Sequence, residues 1–245
     1  MSFELSTSQI IWLDAIDSTN NFAANLLKTT KPTNGTVILT KCQEKGRGQR
    51  GNVWESESGK NIICSIILYP GIKIKDQFKL TQLFSIAVIK FLEAYGIEGK
   101  IKWPNDVYVK DEKIAGILIE NSLQGSLIKS SILGIGLNVN QVKFASSVAT
   151  SMRNVTERKF DLEELINNFL NVSFQEFNRL LMNNDPNLKN TYLENLYGLN
   201  QPRKFMDKEG EFEGVIKGVD AFGLLIVEKN GKQVQYDLKE ITFVR

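Results

Sequence analysis

The sequence predicts a mixed α/β domain, with helices packed on a mixed β-sheet, followed by a small all-β unit. Three observations carry this. Phe78 to Tyr95 places Leu80, Leu83, Phe84, Ala87, Val88, Phe91, Leu92 and Tyr95 at i, i+3, i+4 spacing and closes on Gly96, the signature of an amphipathic helix and its stop. Runs rich in β-branched residues, Thr36–Thr40 and Asn61–Leu68, precede it. From Arg203 to Val244 the pattern changes to short β segments, EFEGVIKGV, FGLLIVE, KQVQYDL and ITFV. Asn230-Gly231 between two of these runs is a strong hairpin signal.

The remaining elements follow in order. Ile10–Leu13 reads as a short strand, and Thr19–Leu27 as a helix opening at a polar cluster. After the long helix come three strand candidates, Ile101–Trp103, Ile114–Glu120 and Ser131–Asn138. Helices return at Asp161–Met182, with Asp161 a suitable cap, and at Asn187–Tyr197. A linker near Gly198–Pro202 divides a catalytic-sized domain, residues 1–199, from a small barrel, residues 200–245.

The 245 residues suffice for one large and one small domain with a substantial core. Apolar residues make up 42% and charged ones 24%, ordinary for a globular chain, so nothing here argues for disorder. A net charge of +2 is too small to recruit nucleic acid through bulk electrostatics. No apolar run approaches the ~20 residues needed to span a bilayer, and MSFELSTSQI has no signal-peptide pattern. A cytoplasmic protein without a membrane partner is expected. Cys42 and Cys64 lie in probable strands without CxxC spacing, so they are expected to be reduced, buried small hydrophobes. There is no histidine. That removes Ser-His-Asp and Cys-His triads and a histidine general base, leaving Lys, Arg, Asp, Glu, backbone amides or a bound Mg²⁺.

The most informative segment is KCQEKGRGQRGNVWESESGKNII, from Lys41 to Ile63. It sets Gly46, Gly48 and Gly51 around Arg47 and Arg50, with Trp54 just downstream. Glycine lets a backbone approach a ligand closely, and arginine offers a charged fork to carboxylate or phosphate. Such a loop suits an acyl-phosphate or acyl-adenylate. A solvated basic hairpin, or a loop touching nucleic-acid phosphates, is the plainer alternative.

Three further segments join it: Asp17-Ser18-Thr19-Asn20-Asn21; Lys102-Trp103-Pro104-Asn105-Asp106 with Lys113-Ile114-Ala115-Gly116-Ile117 after it; and Gly134-Ile135-Gly136-Leu137-Asn138-Val139-Asn140. In order and spacing these resemble the catalytic domain of biotin protein ligases. KWPND followed by KIAGIL, with GRGxxGxxW upstream, is the specific part. The β tail is similar to that family's SH3-like domain. The resemblance implies a fold like class II aminoacyl-tRNA synthetases. It also implies a two-step reaction, in which biotin and ATP with Mg²⁺ give biotinyl-5′-AMP and pyrophosphate. The acyl group then passes to a lysine of a biotin carboxyl carrier protein. A monomer or homodimer fits equally.

Joining a carboxylate to the α-phosphate brings two anions together, so cations must screen them. Arg47, Arg50 and Lys113 are the candidates on chemistry alone. By resemblance, Ser18, Thr19, Asn20 and Gln43 meet the biotin head, with Gly46, Arg47, Gly48, Gln49, Lys113 and Gly116 completing the biotin site. Arg47, Arg50, Trp54, Lys102, Asn105, Lys113 and Asn138 meet ATP or the adenylate, and Lys113 bridges the two. Asp106 serves Mg²⁺ or the acceptor lysine, and Asn138 lies on the Mg²⁺–phosphate side. Each also has a plain structural reading: Ser18, Thr19 or Asn20 as a helix cap, Gln43 on a strand surface, Trp54 in the core, Lys113 at a strand start and Asp106 ending a turn.

Two departures matter. The family loop often reads GRGRxG, and here Gln49 holds the fourth position with Arg50 after it. Some bacterial members carry an N-terminal winged helix, whereas here Ser18-Thr19-Asn20 comes at once, so a ligase without repressor activity is expected. The rivals are a lipoate or octanoate ligase or transferase of the same architecture, and a nucleic-acid-binding module built on the loop and the small barrel.

Overall fold

The computed structural model describes residues 9–183 and 186–244. A seven-stranded sheet forms the larger part. Its strands are β1 (Ile10–Ile16), β2 (Thr36–Gln43), β3 (Ile62–Leu68), β4 (Lys100–Lys102), β5 (Asp106–Val109), β6 (Glu112–Gln124) and β7 (Leu127–Leu137), in the spatial order β1-β2-β3-β7-β6-β5-β4. β1 and β2 run parallel through the crossover helix α1 (Thr19–Thr29), and the other neighbours are antiparallel. The sheet is therefore mixed, as the sequence predicts.

Helix α2 (Phe78–Glu93) lies against this sheet and buries twelve of its sixteen residues. Helix α4 (Leu162–Asn183) packs on α2, with Phe91 and Phe169 edge to face at 5.3 Å. Asp161 caps α4 as expected: its carboxylate accepts the backbone N–H groups of Glu163 and Glu164 at 2.9 and 3.1 Å. Helix α3 (Met152–Thr156) and strand β5 were not legible in the sequence. At five and four residues they are too short to show a period. The expected strand Ile101–Trp103 ends instead at Lys102; Trp103 turns inward and donates its Nε1–H to the Gly223 carbonyl at 2.8 Å.

After α5 (Leu188–Glu194), residues 202–243 form a second sheet. Its strands are β8 (Pro202–Asp207), β9 (Gly210–Val219), β10 (Leu225–Lys229), β11 (Lys232–Tyr236) and β12 (Thr242–Phe243), in the order β11-β10-β9-β8-β12, all antiparallel. Asn230 and Gly231 both take positive φ, 52° and 73°, so the hairpin turn is the one that Asn-Gly favours. The buried core is continuous between the sheets. Phe205, Ile216 and Leu225 of the tail belong to the same cluster as Ile101, Trp103 and Leu137.

Candidate active site

A cavity opens over one face of the large sheet, between the start of α1, the glycine loop and the β4–β5 turn. At one end the first turn of α1 is buried: Ser18, Thr19 and Asn20 are each no more than 3% exposed. Ser18 occupies the cap position, yet its side chain makes no cap hydrogen bond. The Thr19 backbone N–H donates to Gln43 Oε1 at 2.8 Å, and the Thr19 hydroxyl reaches the same oxygen at 3.1 Å. The Ser65 hydroxyl donates to Asn20 Oδ1 at 2.6 Å and stands 2.8 Å from Thr19 Oγ1. Asn20 Nδ2 in turn donates to Glu120 Oε2 at 2.7 Å. This end thus presents amide and hydroxyl groups able both to give and to accept hydrogen bonds. The neighbouring Asn21 amide donates to Asp17 at 2.6 Å and holds that carboxyl below the usual range.

The floor is glycine because side chains from elsewhere lie directly on it. A Cβ at Gly134 would overlap the Asn20 amide, and one at Gly136 would overlap the Trp54 indole. Gly116, on the adjoining strand β6, lies under both Trp54 and the Lys113 amine. Thr and Val at these positions would suit a strand better, so local propensity gives way to the approach of Asn20 and Trp54. The Trp54 Nε1–H is buried and has no hydrogen-bond partner among the described residues. An unpaired buried donor costs about 1–3 kcal/mol, and such a cost is typical of a binding site.

At the other end Lys113 Nζ lies 2.7 Å from Asp106 Oδ1 and 5.4 Å from the Trp54 ring centroid. Its backbone is gripped from the side: Lys113 N donates to Val148 O and Thr150 N donates to Lys113 O. Asn105 donates its amide to the Ile117 carbonyl, which locks the β4–β5 turn onto β6. The glycine loop closes the mouth. Gly48 N bonds Asn52 O at 2.7 Å and Trp54 N bonds Gly46 O at 3.0 Å, making a small hairpin. From it Arg47 reaches Asn21 Oδ1 at 2.7 Å and Glu120 Oε1 at 3.0 Å.

Of the residues expected from sequence, Ser18, Thr19, Asn20, Gln43, Arg47, Gly48, Gln49, Trp54, Asn105, Asp106, Lys113 and Gly116 line this cavity. Gly46 lines an adjoining hollow under the loop. Lys102 instead points toward the tail, its amine 4.6 and 4.9 Å from the Tyr108 and Phe243 ring centroids. Asn138 is buried away from the lining and donates its amide to Thr150 O at 2.9 Å, while its Oδ1 is buried without a partner among the described residues. The Arg50 side chain lies outside the described residues. Sequence reasoning missed Ser65 and Glu120, the partners of Asn20, and Leu238 and Lys239 of the tail, which also line the cavity; Trp103, Gly134 and Gly136 stood in the motifs without a role of their own.

Fold and cavity together present an amide-rich pocket at one end and a lysine at the other, an arrangement suited to a small molecule. Comparison with known proteins gives the family. The model of the Biotin/lipoate A/B protein ligase family matches residues 12–138, and this chain belongs to that family. It is 31% identical to the bifunctional ligase/repressor BirA of Bacillus spizizenii, over 92% of this chain and 71% of that protein. It is 30% identical to the biotin–[acetyl-CoA-carboxylase] ligase of Paracoccus denitrificans, over 89% and 94%. Among solved structures, it resembles the biotin protein ligase of Aquifex aeolicus in complex with biotin and ATP, with a TM-score of 0.79 and 25% identity, over 97% and 99% of the two chains.

Proposed function

We propose that this protein is an ATP-dependent biotin protein ligase. It joins the biotin carboxylate to the α-phosphate of ATP, giving biotinyl-5′-AMP and pyrophosphate. It then passes the biotinyl group to a lysine of a biotin carboxyl carrier protein. The observation that carries this reading is the pairing, in one cavity, of the Thr19–Asn20–Gln43 cluster, backed by Ser65, with the Lys113–Asp106 pair. A ureido ring needs both donors and acceptors around it, which the cluster supplies. The dithiolane ring of lipoate has no donor and no strong acceptor to engage that cluster. This favours biotin over the lipoate reading.

In the first step the carboxylate oxygen attacks the α-phosphorus and pyrophosphate departs. Lys113 is the cation placed to lower the repulsion between the two anions, and Asp106 steers its amine. The work is positioning and electrostatics, for which no histidine is required. In the second step the carrier lysine attacks the acyl carbon and AMP leaves. Until then the anhydride must be kept from water, a task for the glycine loop and for Trp54 over the floor. Residues 1–199 would form the catalytic unit and 200–245 the appended one.

Magnesium would enter with the polyphosphate. No group of three or more His, Cys, Asp or Glu able to hold a metal occurs among the described residues; an ion of this kind is commonly carried by one or two carboxylates together with substrate phosphates. The Asp106 carboxylate, which faces the cavity, is the oxygen donor that would complete its shell, and the ion would supply charge neutralisation on the phosphates. The test is transfer of labelled biotin to a purified biotin carboxyl carrier protein with ATP. Labelling of its acceptor lysine is expected, and failure with biotin alongside success with lipoate would move the protein to the rival branch of the family.

A further inference from the structure

Glu120 lies outside every motif that marks this chain, yet its carboxylate joins two parts of the site that are far apart in sequence. It shares a face of β6 with Gly116 and Leu118, because alternate residues of a strand point the same way. Oε1 accepts from Arg47 Nη2 at 3.0 Å, and Oε2 accepts from Asn20 Nδ2 at 2.7 Å. The second bond fixes the Asn20 amide with its oxygen toward Ser65, and so sets which atoms the buried end of the cavity offers. The first fixes the glycine loop. Arg47 pairs across the loop hairpin with Val53, and its other terminal nitrogen is held by Asn21 in the same turn of α1. Both ends of the guanidinium therefore grip the body of the protein.

The ion pair is partly exposed, at 44% for Arg47 and 35% for Glu120. A pair so placed is weak enough to open and close reversibly. We infer that Glu120 is a positioning residue: by holding Asn20 and Arg47 with one carboxylate, it keeps the glycine loop shut in register with an occupied acid-binding end. The inference rests on the ligase reading above. It makes Arg47 the strut of the loop, so that the loop's hold on the activated acid comes from its placement.

Glu120→Gln keeps the shape and removes the charge. In the ligand-free protein, trypsin nicking of the loop after Arg47 or Arg50 should accelerate about ten-fold while the melting temperature falls by only a few degrees. With biotin and ATP, the KM for biotin should rise about ten-fold with a much smaller change in kcat. Labelling of bystander lysines on an unrelated protein should rise in parallel. Arg47→Ala and Glu120→Gln together should cost less in retention than the sum of their separate effects, since both remove the Arg47–Glu120 contact. Unchanged nicking in a folded variant, or additive effects of the two changes, would overturn the inference. Should Glu120→Gln fail to fold, Glu120→Asp, which keeps the charge on a shorter arm, must show the same changes in milder form. If the wild type activates no acid at all, the ligase reading falls, and the nicking rates alone still decide whether Glu120 latches the loop.

Discussion

Replacing Gly134 with alanine tests the geometry of the buried end of the cavity. The added Cβ would overlap the Asn20 amide, which lies directly over the glycine on the central strand β7. Asn20 is 3% exposed and held at both ends, by Ser65 at 2.6 Å and by Glu120 at 2.7 Å, so it cannot step aside without losing those bonds. A neutral bond is worth about 0.5–1.5 kcal/mol and one to a charged group about 1.5–3 kcal/mol. Their joint loss comes to about 3 kcal/mol. At this chain length that corresponds to a fall of about 6–12 °C in melting temperature. Because the displaced amide belongs to the acid-binding end, biotin affinity measured by calorimetry should fall at least about ten-fold, the loss of one good hydrogen bond. Gly136→Ala is the matched comparison. Its Cβ would meet the Trp54 indole, which has no hydrogen bond to lose there, so its thermal cost should be smaller. A Gly134→Ala protein with wild-type stability and biotin affinity would refute the placement of Asn20.

Lys113→Ala should remove the charge that the first step needs and cost about 2–4 kcal/mol in its barrier, read as loss of pyrophosphate exchange. Its partly exposed ion pair with Asp106 adds no more than about 1 kcal/mol to stability, so the melting temperature should barely move. In the tail, Lys229 binds Asp207 at 2.8 Å and holds its carboxyl down to about 2. A depressed carboxyl stabilises above its unfolded value and loses that contribution as pH falls through the folded one. Acid titration should therefore loosen this sheet between about pH 4 and pH 2, and Asp207→Asn should flatten that part of the stability profile. Burial pushes the Cys64 thiol up to about 12, whereas Cys42 is half-buried. A disulfide-exchange reagent at neutral pH should titrate Cys42 alone in the native protein and both cysteines after denaturation.

The parts legible in the sequence were those carried by contiguous residues. The long helix α2, the hairpin at Asn230-Gly231, the Asp161 cap and the glycine loop each announce themselves within one local pattern. Most of the cavity was legible for the same reason, since its polar residues sit in short motifs. What stayed hidden depends on register between distant strands. Glu120 meets Asn20 across a hundred residues of sequence, and only the β3–β7–β6 pairing brings Ser65, Gly134 and Glu120 beneath α1. Lys102 and Asn138 show the converse. Both stand in motifs, yet Lys102 packs on aromatic rings and Asn138 bonds a backbone carbonyl, so adjacency to a motif did not fix where the side chain went. Trp103 ties the β4–β5 turn to Gly223 of the tail, a contact that no local pattern encodes.

Exchange of labelled pyrophosphate into ATP reads the activation of biotin in this cavity without any carrier protein. Exchange should require biotin, be lost in Lys113→Ala, and not be supported by lipoate or octanoate. Exchange driven by lipoate or octanoate and not by biotin would contradict biotin as the substrate.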